Sequence, residues 1–154
     1  MSEATVDASG AAGAAGSRRW ADLPGPELAA RLTSESILVL PTGAIEHHGP
    51  HLPLSTDLVM AEMLAERIVD AAAAAGHDVW LLPALGATKS DEHSWAPGTL
   101  WLSASTFASV ISDLGRSIAT TKARTVLFYN GHGGNIAPLN VALRELRRQF
   151  GLRN

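Results

Sequence analysis

The chain has 154 residues, 46% of them hydrophobic and 18% charged, with a formal net charge of -3. That length supports one domain with a sizeable core rather than two full ones, and the weak negative charge offers no electrostatic footprint for nucleic acid or an anionic membrane. There is no cysteine, which excludes disulfides, thiolate ligands and a cysteine nucleophile, so any bound metal must be held by nitrogen and oxygen.

Residues 1–19, rich in Ala, Gly and Ser, read as a disordered tail of a cytoplasmic protein. Arg18-Arg19 is followed by no continuous apolar segment before Pro24, so it does not read as a twin-arginine signal, and no run of about 18 apolar residues is present to span a membrane. Residues 20–154 read as a single domain. Pro26 to Leu32 is expected to be a short helix, with the proline in its first turn, where a missing N–H is harmless. Ile37 to Leu40 is a wholly apolar strand ended by Pro41, as expected for a strand covered on both faces. A helix should follow from Leu58 to Ala75, with Met60, Leu64, Ile68 and Ala71 inward, Glu62, Glu66, Arg67 and Asp70 outward, and Gly76 as a left-handed cap.

The pattern then repeats twice. Val79 to Leu82 reads as a strand, a long loop runs from Pro83 to Ser103, and a helix carries Phe107, Val110, Ile111, Leu114 and Ile118 at helical spacing. Thr125 to Tyr129 reads as the third strand, followed by a short loop and a helix with Leu139, Leu143, Leu146 and Phe150 along one stripe. Three strand-loop-helix units define an α/β fold, a three-layer α-β-α arrangement around a mostly parallel sheet. Three strands are fewer than the usual five or six or so, so the domain is expected to lack its C-terminal part.

Each strand is followed by a loop bearing histidine, and loops leaving the carboxyl ends of parallel strands converge on one crevice. In Glu46-His47-His48-Gly49-Pro50-His51-Leu52-Pro53, extended chain would send Glu46 and His48 to one side and His47 to the other. Asp57 falls where the next helix begins, near the positive end of its dipole; taken alone it reads as an N-cap, taken with Glu46 and His48 as a metal ligand. In Asn130-Gly131-His132-Gly133-Gly134-Asn135, His132 is the only group that can both titrate and ligate. A phosphate or dinucleotide loop is the competitor there, and it lacks the Walker lysine and the small residue that the dinucleotide fingerprint needs at Ile136. In the middle loop, Glu92 and His93 are candidates to donate or accept a proton, or are simply solvated. Trp95 is a candidate pocket wall, and Trp101, between Leu100 and Leu102, is expected to pack in the core.

These residues resemble the creatininase family of metal-dependent amidohydrolases. Gly43 through Pro53 with Asp57, and Asn130 through Asn135, match its two motifs in order and spacing, and Glu92-His93 to Pro97-Gly98-Thr99 looks like its middle loop. The resemblance implies that Glu46, His48, Asp57 and His132 ligate two divalent ions, with Asp57 bridging, and zinc, manganese or iron would suit this donor set. It implies a homo-oligomer, often a hexamer. It also brings a departure: creatinine-hydrolysing members carry an acidic ligand where Gly134 stands here.

The function implied is hydrolysis of an amide C–N bond by a metal-activated water, with Glu92 or His93 moving protons and no Ser or Cys nucleophile. The substrate would be a small non-peptide or cyclic amide such as creatinine, or alternatively a formamide, or a peptide in mycofactocin precursor maturation. The rival of another class is a catalytically inactive metal-binding fragment.

Overall fold

Residues 16–154 are described by the computed structural model of this chain. Residues 1–15 of the expected tail lie outside the described residues. Its last residues are packed rather than loose: the Arg18 carbonyl accepts from Leu81 N at 2.8 Å, and Arg18 and Arg19 pair with Asp78 and Glu66.

The elements run α1 (Gly25–Arg31), β1 (Ile37–Thr42), α2 (Thr56–Ala74), β2 (Val79–Leu81), α3 (Ala104–Ala119), β3 (Thr125–Asn130) and α4 (Ile136–Phe150). The three strands form one parallel sheet in the order β2-β1-β3, with Ile37 opposite both Val79 and Thr125. The central strand is thus paired along both edges, and side chains also pack on both its faces, as its unbroken apolar run requires. Leu38 and Leu40 pack with Trp80, Val126, Leu28, Leu32 and Ile118 on one face, while Val39 turns to Ala65 and Val69 of α2 on the other. On the first side, α3 and α4 pack together through Phe107, Ile111, Leu139, Ala142 and Leu146. Among the described residues, no helix is long and apolar enough to cross a membrane.

Three local expectations are corrected. Strand β1 does not stop at Pro41 but continues to Thr42. The Pro41 carbonyl accepts from Leu85 N at 2.9 Å, so its missing N–H faces the β2 side, where β2 has already ended, and no ladder bond to β3 is lost. The inward face of α2 is Ala61, Ala65 and Val69, whereas Met60, Leu64 and Ile68 are 50%, 38% and 40% exposed. The helix start lies so close to the strand ends that only small side chains fit beneath it. A Cβ on Gly43 would fall 2.6 Å from Leu58 N, and one on Gly131 would fall 2.9 Å from the Asp57 carbonyl. Trp101 is not in the core but 48% exposed: its backbone bridges to the buried Thr88 while the residue itself stays largely open to solvent.

Candidate metal centre

Three strand ends deliver three loops to one rim. The first leaves β1 at Thr42 and is closed by Glu46 N donating to Leu54 O at 2.9 Å, which sets Glu46 inward at 5% exposure. The middle loop is laid against it by an antiparallel bridge, with Leu100 N donating to Ile45 O at 2.9 Å, and turns through a 3-10 helix at Asp91–His93. The third leaves β3 as Gly131-His132 and enters α4 through a 3-10 turn at Gly133–Asn135.

Asn135, fully buried, ties all three loops together. Its side-chain oxygen accepts from Lys89 N at 3.1 Å, and its amide nitrogen donates to Gly43 O at 3.2 Å and to Asn130 Oδ1 at 3.1 Å. Sequence reasoning placed Asn135 in the third-loop motif without giving it work. A polar residue at the start of an apolar helix is a signal for local capping, and its cross-loop bonds leave no trace in spacing.

Glu46, His48, Asp57 and His132 come together as expected. Asp57 sits in the first turn of α2, while Ser55 occupies the N-cap position. Asp57 is therefore not the N-cap residue; its two oxygens serve two different imidazoles. Oδ1 lies 2.9 Å from His48 Nε2, and Oδ2 lies 2.9 Å from His132 Nδ1, which is also 3.2 Å from Glu46 Oε1. His48 Nδ1 faces the Glu46 carbonyl at 3.0 Å. Burial disfavours the charged form of His48, yet that carbonyl and the Asp57 carboxylate outweigh it and raise its pKa above the ordinary histidine value.

The outer nitrogen of His132 faces the Lys89 carbonyl at 2.9 Å and Ser90 Oγ at 3.3 Å. A carbonyl only accepts, so Nε2 donates to it, which leaves Nδ1 as the nitrogen that faces the carboxylates and that would ligate a cation held between them, as in a metal-ligating histidine held by a backbone acceptor. One donor atom each from Glu46, Asp57 and His132 lies within 4.8 Å of the others.

The donor set fits a divalent cation. Glu46 and Asp57 pair with imidazoles alone, with no Lys or Arg ion pair to either among the described residues, and Glu46 Oε2 is buried with no hydrogen-bond partner. Buried carboxylates are costly unless paired or coordinating, and a partnerless carboxylate oxygen beside an imidazole nitrogen is a place for a cation. Asp57, with one oxygen directed to each histidine, has the disposition of a bridging ligand.

The two remaining candidates stand apart from the triad. Glu92 Oε2 is held by Lys89 Nζ at 2.8 Å, and its Oε1 lies 3.5 Å from His132 Nε2. Burial opposes ionisation of Glu92, but the Lys89 ammonium outweighs it and holds its pKa below the ordinary value. His93 forms no side-chain hydrogen bond to the four clustered residues, and its Nδ1 is buried without a partner. Its ring lies 6.3 Å from that of Trp95, which also meets the edge of His47 at 5.2 Å. Trp95 itself is 70% exposed, at the rim rather than in a closed wall.

A parallel α/β sheet whose strand-end loops gather two carboxylates and two imidazoles defines a protein of the metal-site α/β class. The family model for creatininase, described as creatinine amidohydrolase, matches residues 21–154, and the chain belongs to that family. It is 38% identical over 122 residues to a mycofactocin precursor peptide peptidase of Mycobacterium tuberculosis, covering 76% of this chain and 48% of that protein. It is 29% identical over 136 residues to the creatinine amidohydrolase of Pseudomonas putida, covering 82% of this chain and 50% of that one. Among solved structures, a Zn-Zn type creatininase variant superimposes with a TM-score of 0.73 at 27% identity, over 89% of this chain and 57% of its own. The chain spans about half the length of the curated relatives it matches.

Proposed function

We propose that this chain carries the metal-binding part of an amide-bond hydrolase, with Glu46, His48, Asp57 and His132 as the ligands. The observation that carries the reading is the disposition of Asp57, which gives one carboxylate oxygen to each of two imidazoles, beside a buried oxygen of Glu46 that no protein group satisfies. A divalent cation bound there would supply Lewis acidity, acidifying water and polarising a carbonyl. The name of the Zn-Zn type neighbour and that of a manganese creatininase support zinc or manganese, and iron also suits the donors.

The chain's own residues do the rest. Asp57 is presented from the first turn of α2, Glu46 is kept dry behind the Leu54 and Leu100 backbone bonds, and the Lys89 carbonyl fixes the His132 tautomer. Protons are moved by Glu92 or His93 in this reading. Glu92 holds its charge against Lys89, and His93 follows it on the same turn of the middle loop as the other candidate.

Within amide hydrolysis, a peptide bond is the substrate favoured over a cyclic amide. Identity is 38% to the peptide peptidase against 29% to the creatinine amidohydrolase, and the family resemblance implies an acid in creatinine-hydrolysing members where Gly134 stands here. A homo-oligomer is part of the same reading, and the apolar side chains of Met60, Met63 and Leu64 exposed on α2 give it a surface to use.

Metal analysis after dialysis, paired with assays on a precursor-type peptide, a cyclic amide and a formamide, tests the proposal. The expected result is bound divalent metal with peptide cleavage. Metal without turnover on any amide supports the inactive binding fragment instead, and absence of metal refutes both.

A further inference from the structure

Glu92 is close to the centre without belonging to its donor triad. We propose that Glu92 is a positioning residue for His132, that Gly134 is what admits it, and that the pair sets how tightly the centre holds a divalent cation. This inference rests on the metal-site reading above.

Lys89 builds the contact. Its ammonium lies 2.8 Å from both Asp91 Oδ1 and Glu92 Oε2, while its own carbonyl accepts from His132 Nε2 at 2.9 Å. One residue thus grips the Glu92 carboxylate with its side chain and the His132 imidazole with its backbone. The free oxygen of Glu92 is left 3.5 Å from the same Nε2. That is too long for a principal hydrogen bond, so Glu92 acts through its charge. A negative charge at the N–H edge of an imidazole makes the opposite nitrogen a better ligand, the role that carboxylates behind metal-binding histidines fill. The opposite nitrogen here is Nδ1, which faces Asp57 and Glu46.

Gly134 is the second observation. A Cβ built there would lie 2.5 Å from the Lys89 carbonyl oxygen and closer still to Glu92 Oε1 and His132 Nε2. The three atoms it would strike are those that make up the outer face of His132. A side chain at position 134 cannot coexist with the present place of the Glu92 carboxylate, and it would also press on the Lys89 carbonyl and the His132 ring.

The test is zinc affinity measured by competition with a chromophoric chelator on the full chain, with thermal melts of each metal-free variant to confirm folding. Glu92→Ala is expected to weaken zinc binding by about 10–100-fold, the usual cost of losing a carboxylate behind a ligating histidine. Glu92→Gln, which keeps an oxygen but not the charge, should fall between Glu92→Ala and the parent. Gly134→Ala should lose at least as much as Glu92→Ala. Asp91→Ala is the control, because Asp91 shares Lys89 but has no contact with His132, and its affinity should stay within about twofold of the parent. Parent-like affinity in Glu92→Ala, or an equal loss in Asp91→Ala, overturns the proposal. Zinc binding that survives His132→Ala refutes the metal site itself, a distinct result.

Discussion

His132 and Asp57, 75 positions apart in the chain, meet at 2.9 Å through Nδ1 and Oδ2, joining the head of α2 to the loop that leaves β3. That contact brings an imidazole nitrogen and a carboxylate oxygen to one point where both could ligate a cation, so removal of either partner should weaken metal binding there. His132→Ala and Asp57→Asn are each expected to lose bound metal by more than the roughly 10–100-fold typical of outer residues. Elemental analysis after dialysis reads this directly, and parent-like metal content in either variant would refute the assignment.

Asn135→Ala should damage both the fold and the site. The variant strips Lys89 N of its acceptor and removes one donor each from Gly43 O and Asn130 Oδ1, although Thr88 Oγ1 still reaches Gly43 O at 2.6 Å. Buried groups left without partners cost about 1–3 kcal/mol, so urea denaturation should show a loss in that range, with weaker metal binding because the Lys89 carbonyl drifts from His132.

Close approach of α2 to the strand ends gives a steric prediction. Gly43→Ala forces a Cβ against the Leu58 backbone, which cannot rotate away, and should destabilise by at least the usual overpacking cost of about 1–3 kcal/mol. Gly133→Ala meets nothing within 4 Å and should change stability by less than about 0.5 kcal/mol. The same packing implies that Ala65→Leu disrupts the fold while Leu64→Glu leaves it standing; thermal melts of the pair decide this.

Asp78 makes the fold acid-sensitive away from the metal centre. Burial raises its pKa, but hydrogen bonds from Ser36, Trp80 and Thr33 and the charge of Arg18 outweigh that and hold it below the ordinary 3.8. A carboxyl depressed in the folded state contributes stability that is fully present above its unfolded value and is lost as pH falls through the folded one. The loss should therefore appear below about pH 4, where the unfolded carboxyl gains its proton first. Asp78→Asn should remove that pH dependence and cost about 1.5–3 kcal/mol at neutral pH, since the carboxylate accepts from Ser36 at 2.5 Å, Trp80 at 2.8 Å and Arg18 at 3.0 Å. Denaturant midpoints followed from pH 7 to pH 3 check both parts.

The periodicity of apolar residues determined the strands, the helices and the parallel sheet, because a strand buried on both faces must be apolar throughout and a surface helix must repeat near 3.6. Residue type and spacing likewise marked Glu46, His48, Asp57 and His132 as candidates, since acids and histidines grouped on short loops leave a local signature. Tertiary structure alone decided which face of α2 is inward: Met60 and Leu64 have the hydrophobicity of a core, but the room beneath the helix admits only Ala61 and Ala65. It alone gave Asn135 its three loops and brought Glu92 to the far side of His132 through the space that Gly134 leaves. Those relationships depend on distances between segments that spacing along the chain does not encode.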